Sequence, residues 1–469
     1  MRTSWMQHSL EDGRGQRSRP PAGGRSENSL APSSTPPVSP LAVDRPVWKK
    51  GKVVIYSDRS RIVADQTCPR LRLYQYEWLG TGLQLGSARE LDIGSCTHTG
   101  IGHILSIIVG SDHPDDTVVG LLAKPPALEE GLEAAHSDEA WARLEDTDRL
   151  LVDALVRTWW ASFLPQLAGW RIVEVEREEV FDYEFPPSYW EQTIAHFKKF
   201  LSFMGVGLLF QNLLMPKTPK KVRFLSRLDL LAEAPEGVYL NGLPVAPGLY
   251  QFDWKTARKA DERWATDHLY NQQWVSQLLG VEKRLGGRLE GTVVVGLSKE
   301  AHPLLGGWKS PSSDEVRTRY SWQCESAHVN DHTKRGGMCP GGKYHRLGDD
   351  WQLVPPSDPA DWFERLRRED PALLAEQVRV LGPVRRASDW QIEAWQEQNF
   401  PREAEIAAAR SAEPLDEATL RRVFPQREIN CTRYGRKCSA FDVCWAGASL
   451  ESFERRVPNH LEEKESIHG

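Results

Sequence analysis

Residues 248–256, GLYQFDWKT, constrain the fold of this chain more than any other stretch. The alternation of aromatic and polar residues predicts a β-strand, and side chains two residues apart on a strand point to the same face. Asp253 and Lys255 would then lie side by side on one surface, while Phe252 and Trp254 would turn the other way into the core. The chain must therefore build a sheet that presents an acid beside a lysine.

An acid two residues before a lysine suits metal-dependent phosphodiester hydrolysis. The carboxylate can hold Mg²⁺ or Mn²⁺, and the ammonium group can orient the attacking water and offset the charge that develops on the phosphate. The same spacing is also common on exposed strand edges, where it serves no chemistry. The pair therefore needs support from other parts of the chain.

That support comes from a second strand candidate, residues 221–233, which contains the mostly apolar run RFLSRLDLL. Asp229 is the single acid in this run, and a lone carboxylate on a buried strand is costly unless it is paired or bound to a cation. Two adjacent strands that offer Asp229, Asp253 and Lys255 would make a compact site for one or two cations. Alternatively, Asp229 pairs with an arginine of its own strand at the surface.

The composition fits a soluble globular protein, because 40% of the 469 residues are hydrophobic and 26% are charged. The formal net charge of −6 does not by itself indicate nucleic-acid binding, although a nuclease needs only a local basic groove. No apolar signal segment opens the chain, and polar residues interrupt the apolar run at 200–215, so we expect a cytoplasmic protein without a membrane span. The seven cysteines, an odd number, favour metal or cluster ligation over a disulfide framework.

Composition and pattern divide the chain into five segments. We predict a disordered tail rich in Ser, Pro, Gly and Arg at 1–45, a core at 46–300 with a helical N-terminal part and a helical insertion near 187–215, an irregular loop insertion at 301–355, helices with a cysteine cluster at 356–448, and a polar tail at 449–469. Within the core, the pattern predicts strands at 170–185, 221–233, 248–256 and 289–297 and an amphipathic helix at 262–286.

The sequence RLDLLAE followed by LYQFDWKT resembles the core of the PD-(D/E)XK nucleases. More narrowly, it resembles the RecB/AddB-type exonucleases and the related CRISPR-adaptation nucleases, in which a Gly-x-x-x-His motif precedes the core. Gly94 and His98 match that motif in order and spacing. The resemblance implies an α/β fold with a restriction-endonuclease-like core, in which a mixed central sheet is flanked by helices and carries helical insertions and a cysteine-cluster staple.

The resemblance also implies a set of site residues. His98, Asp229 and Asp253 would bind the metal together with the backbone carbonyl of Trp254. Lys255 would act in catalysis beside the two aspartates. The alternative for His98 is a histidine at a glycine turn that caps the start of an apolar helix.

Two further positions follow from the same resemblance. Glu176 matches a glutamate that supports the site, although a surface glutamate would look the same in sequence. Gln273 matches the glutamine of a Gln-x-x-x-Tyr helix that positions the nucleic-acid strand. Gln277 stands where the family has tyrosine, so this motif departs from the family's pattern.

Four cysteines form a second pattern, because Cys68 precedes the histidine motif and Cys431, Cys438 and Cys444 follow the core. Iron–sulfur members of the family have this layout, so the resemblance implies a [4Fe–4S] cluster that ties the two ends of the chain together. A tetrahedral Zn²⁺ would accept the same four thiolates. Ordinary buried thiols are a third interpretation.

The loop at 306–350 could form a second zinc site, because it contains Cys324, His328, His332 and Cys339. A solvated loop that carries the same residues by chance is the other interpretation.

The resemblance implies a Mg²⁺- or Mn²⁺-dependent deoxyribonuclease, and more narrowly an exonuclease of DNA recombination, repair or phage DNA processing. Its partners would be DNA with a single-stranded end and a helicase or recombination protein. Any motor must come from another chain, because no Walker A sequence is present. The alternative is a catalytically inactive nucleic-acid-binding scaffold of the same fold.

Overall fold

The computed structural model describes residues 54–78, 81–85, 89–109, 117–124, 126–184, 221–269, 273–300, 302–305, 307–309, 316–318, 352–354, 358–411, 417–432, 437–458 and 460. The tail at 1–45 and the insertion at 187–215 lie outside these ranges. The same holds for Cys324, His328, His332 and Cys339, on which the second zinc hypothesis rests. These expectations therefore stay predictions.

Six strands form one mixed sheet. The described residues contain eleven strands in all, of which the other five form two small sheets. In chain order the strands are β1 (Val54–Asp58), β2 (Arg171–Glu184), β3 (Lys221–Ala234), β4 (Tyr239–Leu240), β5 (Leu243–Pro244), β6 (Gly248–Ala257), β7 (Gly291–Ser298), β8 (Gly307–Lys309), β9 (Val316–Thr318), β10 (Gln352–Val354) and β11 (Val378–Arg385). The large sheet has the order β1-β3-β6-β7-β11, and β2 pairs with β3 off this path. The β1–β3 and β6–β7 pairs are parallel, whereas the β2–β3, β3–β6 and β7–β11 pairs are antiparallel.

Helices flank this sheet. In chain order they are α1 (Arg59–Thr67), α2 (Pro69–Arg72), α3 (Arg89–Ser106), α4 (Val118–Leu122), α5 (Pro126–Ser137), α6 (Asp146–Ser162), α7 (Glu262–Leu269), α8 (Gln273–Leu285), α9 (Pro359–Glu369), α10 (Pro371–Ala375), α11 (Asp389–Ser411), α12 (Glu417–Val423) and α13 (Phe441–Cys444). Helices α3, α5 and α6 share one hydrophobic cluster with β6, and α8 packs against β3 in another. The predicted α/β class with a mixed, helix-flanked sheet is therefore confirmed. None of the described helices is both long and apolar enough to cross a membrane.

The four strands predicted from alternation match β2, β3, β6 and β7, whereas β1 and β11 were not predicted. Strand β11 lies in a segment where the sequence predicted only helices, and its antiparallel pairing with β7 corrects that expectation. Short strands of this kind are selected by the partner edge more than by their own residues. The segment at 301–355 is likewise not irregular throughout, because β8, β9 and β10 form a small three-stranded sheet. The helix predicted at 262–286 is described as two helices, α7 and α8.

Phe252 and Trp254 turn into the core, as the alternation on β6 predicts. The ring centroid of Trp254 lies 5.7 Å from that of Trp159 and 5.5 Å from that of Phe163, both on or just after α6, in edge-on geometry. Such aromatic pairs contribute about 0.5–1.5 kcal/mol each beyond the area that they bury. This packing turns one face of β6 toward the core, so Asp253, which lies between Phe252 and Trp254, must point to the opposite face.

Strand β3 lies at a fork in the sheet. Along one edge its residues 221–225 pair with β1, and its residues 230–234 pair with β6. Within the described ranges, no strand pairs with residues 226–229 along this edge. The fork therefore leaves a gap in the middle of the sheet, bordered by the end of β1 and the second half of β6.

Residues 449–458, predicted as a polar tail, pack against the N-terminal part of the chain. Arg455 forms an isolated antiparallel bridge with Leu83. The guanidinium of Arg456 lies 4.8 Å from the centroid of the Tyr76 ring, within the range of a cation–π contact. The two ends of the described chain are therefore joined.

A buried ion network reinforces this junction. Arg72 at the end of α2 is fully buried, and its Nη1 and Nη2 each donate to an oxygen of Glu403 on α11 at 2.9 Å. Its Nε donates to Oε1 of Glu77 at 2.6 Å. One guanidinium thus satisfies two buried carboxylates that are far apart in sequence.

Glu403→Ala should lower the free energy of unfolding by about 3 kcal/mol, because it leaves a buried guanidinium short of one carboxylate. Urea denaturation followed by circular dichroism measures the change. Glu369→Ala is the matched control, because it removes the exposed partner of Arg365 on α9 and should leave the midpoint unchanged. Equal midpoints for both variants would contradict a structural role for the buried network.

Candidate metal centre

The fork brings together three side chains from three elements: His98 of α3, Glu176 of β2 and Asp229 of β3. One candidate ligand atom of each lies within 4.8 Å of the other two. Nδ1 of His98 is 3.4 Å from Oδ1 of Asp229 and 3.7 Å from Oε1 of Glu176. Among the residues that the structure describes, no other three His, Cys, Asp or Glu side chains converge this closely.

Glu176 reaches this group through an unusual backbone conformation. The residues on either side of it pair with the residues on either side of Asp229, so the two acids lie opposite each other across β2 and β3. Its φ is +48°, a left-handed value that costs a residue with a side chain about 1–3 kcal/mol. Nε of Arg227 donates to Oε2 at 2.7 Å and holds the carboxylate in place. Strain of this kind clusters at functional sites, which places Glu176 among the candidate ligands themselves.

His98 lies in the middle of α3, which corrects the expectation of a glycine turn followed by a helix start. The helix begins at Arg89 and includes Gly94, so the capping interpretation of His98 is wrong. Glycine has a different role in this helix, where it allows a neighbouring strand to approach closely. A Cβ at Gly102 would lie 2.6 Å from Cγ of Glu176, so only glycine lets β2 come this near to the turn that follows His98.

Asp229 is buried and tied to the neighbouring strand. Its Oδ2 accepts a hydrogen bond from the backbone N–H of Trp254 at 2.7 Å. The two arginines of its own strand, Arg223 and Arg227, pair with acids of β2 instead, which excludes the surface ion pair considered from the sequence. Trp254 thus borders the site through its N–H, and the carbonyl ligand expected from Trp254 stays a prediction.

Asp253 and Lys255 lie side by side, as the alternation predicts. Nζ of Lys255 is 2.8 Å from each carboxylate oxygen of Asp253, and Asp253 is only 1% exposed. Asp253 does not belong to the group of three, so the expected ligand set of His98, Asp229 and Asp253 is only partly assembled. The reason is that a buried carboxylate needs a positive partner, and the nearest one lies two residues away on the same face.

The site is charged and internally balanced. Burial alone lowers the pKa of His98, but the carboxylates of Asp229 and Glu176 outweigh it and raise the pKa to about 10. Burial alone raises the pKa of Asp229, yet His98, Lys255 and the Trp254 N–H together hold it below its usual range. An imidazolium therefore lies between two carboxylates, and a divalent cation that bound there would displace its proton. Carboxylate oxygens with one imidazole nitrogen fit Mn²⁺ and also accept Mg²⁺.

Gln277 contacts the site although the sequence gave it no role there. Its Nε2 donates to the carbonyl of Arg227 at 2.9 Å and to Oδ1 of Asp253 at 3.4 Å. Gln273 begins α8, and its side chain lies outside the described residues, so its predicted contact with nucleic acid stays a prediction. The four-residue spacing between the two glutamines, which places them on one helix face, is the signal that could have found Gln277.

The predicted cluster cysteines lie in one region at the end of α1. Cys438 is within electrostatic range of Cys68 and Cys431, and Cys444 is within range of Cys68 and Cys438. Burial raises the pKa of Cys438 and raises that of Cys444 to about 11. Although the four thiols are neighbours, no three of them belong to a set within 4.8 Å among the described residues.

Contacts between distant parts of the chain support this region. The side-chain amide of Asn430 donates to the carbonyl of Thr67, which precedes Cys68. The indole N–H of Trp445 donates to Sγ of Cys431 at 3.2 Å. Cys96 lies elsewhere, on α3, where its fully buried thiol packs in the core.

The site thus combines a His–Glu–Asp group with an adjacent Asp–Lys pair at a gap in the central sheet. A scan against protein-family models finds no match to this chain, and a search of curated proteins finds none either.

Gly102→Ala should weaken Mn²⁺ binding by at least about tenfold, because the added Cβ displaces Glu176 from beside His98. Alanine is the better helix former by about 0.8–1.0 kcal/mol, so loss of the helix would not explain the effect. Isothermal titration calorimetry with Mn²⁺ measures the affinity.

Gly94→Ala on the same helix is the matched control. A Cβ there would lie 3.6 Å from Oγ1 of Thr256, an ordinary contact, so the affinity should not change. If all three proteins bound Mn²⁺ equally, Glu176 would have no place in the ligand set.

Proposed function

We propose that this protein is a Mg²⁺- or Mn²⁺-dependent nuclease that hydrolyses phosphodiester bonds in DNA. The observation that carries the proposal is the convergence of His98, Glu176 and Asp229 beside the Asp253–Lys255 pair. The two groups are joined directly, because the residue between Asp253 and Lys255 donates its N–H to Asp229. Ligands for a hard cation next to a lysine are what phosphodiester hydrolysis requires. The motif resemblance to the PD-(D/E)XK nucleases supports the same function.

Each side chain then has a role that follows from its position. A bound Mg²⁺ or Mn²⁺ would lower the pKa of a water ligand and polarise the phosphate. His98, Glu176 and Asp229 hold the cation, and Asp253 adds a further carboxylate at the edge of the group. Lys255, an ammonium group with three N–H donors, orients the water and offsets charge on the phosphate oxygens.

Two properties of the site favour an active enzyme over an inactive scaffold. Asp229 and Asp253 are both nearly fully buried, and burying charges is costly even when they are paired, so a chain that made no use of them would gain by losing them. The left-handed backbone of Glu176 adds a further cost at the same point. By resemblance, the substrate is DNA with a single-stranded end, the mode is exonucleolytic, and the partner is a cytoplasmic helicase or recombination protein.

Asp229→Asn and Lys255→Ala should each reduce DNA cleavage by at least about a hundredfold, because one removes a ligand charge and the other a donor to the transition state. End-labelled single-stranded and double-stranded DNA, incubated with a titration of Mg²⁺ or Mn²⁺, measures the rate. Asp182→Asn on β2 is the matched control, because it removes a carboxylate that pairs with Arg223 away from the ligand group and should leave the rate unchanged.

The outcomes separate the two functions. Wild-type protein that binds DNA but cleaves none with either metal would establish the inactive scaffold. Full activity in a folded Asp229→Asn or Lys255→Ala protein would refute the assignment of the site.

We further infer that Cys68, Cys431, Cys438 and Cys444 hold one [4Fe–4S] cluster. The proximity of Cys438 to Cys68 and Cys431, and of Cys444 to Cys68, supports a shared ligand site. A single zinc ion binds thiolates at about 2.3 Å, which brings its sulfurs to within about 4 Å of one another. The order of the four cysteines along the chain, which resembles that of the iron–sulfur members of the family, favours a [4Fe–4S] cluster over such a zinc site.

Protein purified without oxygen should contain iron and absorb visible light at about 400 nm, as iron–sulfur proteins do. Cys438→Ser should remove both signals, because it deletes one of four ligands. Cys96→Ser, a change to a buried core thiol, should keep them. If the purified protein contained stoichiometric zinc and showed no visible absorbance, the four cysteines would form a zinc site and not a cluster.

A further inference from the structure

The sulfur of Cys431 is placed to accept a hydrogen bond. The indole N–H of Trp445 donates to Sγ of Cys431 at 3.2 Å. The same sulfur lies 3.8 Å from the carbonyl oxygen of Arg427, a longer contact in which a thiol S–H would be the donor. Sulfur is a weak acceptor as a neutral thiol, and an ionised acceptor forms stronger hydrogen bonds. The shorter contact therefore suits Cys431 as a thiolate, the form in which cysteine binds metal.

Two more of the four proposed cluster cysteines accept hydrogen bonds. Burial raises the pKa of Cys438, and a hydrogen bond from the backbone of Ala440 acts in the opposite direction. Burial likewise raises the pKa of Cys444, against a hydrogen bond from the side chain of Gln426. A buried free cysteine behaves as a small hydrophobic residue, whereas sulfur ligands of a metal or cluster are supported by surrounding donors. The donors around these sulfurs therefore fit thiolate ligands.

Backbone hydrogen bonds hold the donor and the acceptor of the Trp445 contact in place. The N–H of Cys438 donates to the carbonyl of Cys431 at 2.8 Å, which ties the two cysteines together. The N–H of Trp445 donates to the carbonyl of Phe441 at 2.8 Å, directly after α13. Trp445 itself is 49% exposed, so its indole lies over the cysteines at the surface. A change of this side chain therefore leaves the hydrophobic core intact.

Hydrogen bonds to the sulfurs are among the factors that set the reduction potential of an iron–sulfur cluster. The reason is electrostatic, because an added electron makes the sulfur ligands more negative. An N–H group that points at one of these sulfurs then stabilises the reduced state more than the oxidised state. A donor at Cys431 should therefore make reduction easier.

We propose that Trp445 raises the reduction potential of the cluster through its N–H bond to Sγ of Cys431. Because Trp445 acts through a cysteine ligand, it is a positioning residue for this group. The inference rests on the proposed [4Fe–4S] cluster and is independent of the proposed nuclease reaction.

A redox titration of the full-length protein tests this role. Protein purified without oxygen is reduced stepwise with dithionite, the electron donor, in the presence of redox mediators. Electron paramagnetic resonance measures the reduced cluster at each potential. Trp445→Phe keeps an aromatic ring but removes the N–H, so the ratio of reduced to oxidised cluster at a fixed potential should fall about tenfold. This change corresponds to a shift of about 59 mV for a one-electron couple.

Trp390→Phe is the matched control, because Trp390 is also an exposed tryptophan, at the start of α11. It should keep the wild-type ratio. Only molecules that contain the cluster give the resonance signal, so a partial loss of iron from the Trp445→Phe protein does not obscure its potential. Complete loss of iron from that protein would give Trp445 a role in assembling the site and would overturn its role in setting the potential.

The role of Trp445 and the cluster itself fail in different ways. If wild-type protein contains iron and Trp445→Phe keeps the wild-type ratio, only the role of Trp445 is wrong. If wild-type protein contains zinc, or neither metal, the cluster proposal fails and the role of Trp445 fails with it. Neither outcome depends on whether the protein cleaves DNA.

Discussion

The burial of two carboxylates, Asp229 and Asp253, is the constraint on which the rest of this structure depends. Neither charge can remain in the interior without compensation, because a buried unpaired carboxylate costs several kcal/mol. The chain compensates each by a different route: His98 approaches Asp229 from α3, and Lys255 bridges both oxygens of Asp253 from the same strand. A divalent cation that bound here would supply positive charge to carboxylates that the protein's own side chains already neutralise.

The central sheet makes room for this balance by not pairing completely. Strand β3 pairs with β1 at one end and with β6 at the other, and the gap between them lies at Asp229, which accepts the N–H of Trp254 from β6. Aromatic packing of Phe252 and Trp254 against α6 holds β6 in the orientation that turns Asp253 and Lys255 toward the gap. Rigid packing on one face of β6 therefore fixes the positions of Asp253 and Lys255 on the other face. Preorganised sites are usually supported in this way.

Helix α1 runs from the gap in the central sheet to the region of the cysteines. It begins at Arg59, directly after β1 ends at the gap in the sheet, and it ends at Thr67, immediately before Cys68. At 1.5 Å per residue this helix separates the two regions by only about 14 Å. Loss of order at the cysteines would therefore free one end of the helix that begins at the gap. The proposed cluster, by joining Cys68 to the C-terminal cysteines, would close a loop around the whole core and limit fraying at both ends.

Local pattern alone determined the strands β2, β3, β6 and β7, the inward face of Phe252 and Trp254, and the pairing of Asp253 with Lys255. These features depend on residues within a few positions of each other, and a strand's period of two fixes which side chains share a face. Tertiary structure decided the rest. It made β1 and β11 strands by offering them partner edges, placed His98 beside Glu176 because Gly102 permits close packing, and brought Glu176 opposite Asp229 through a strained backbone. It also set Gln277 beside Asp253. Contacts between residues so far apart in sequence have no local period, so only the folded chain could show which acids converge with His98.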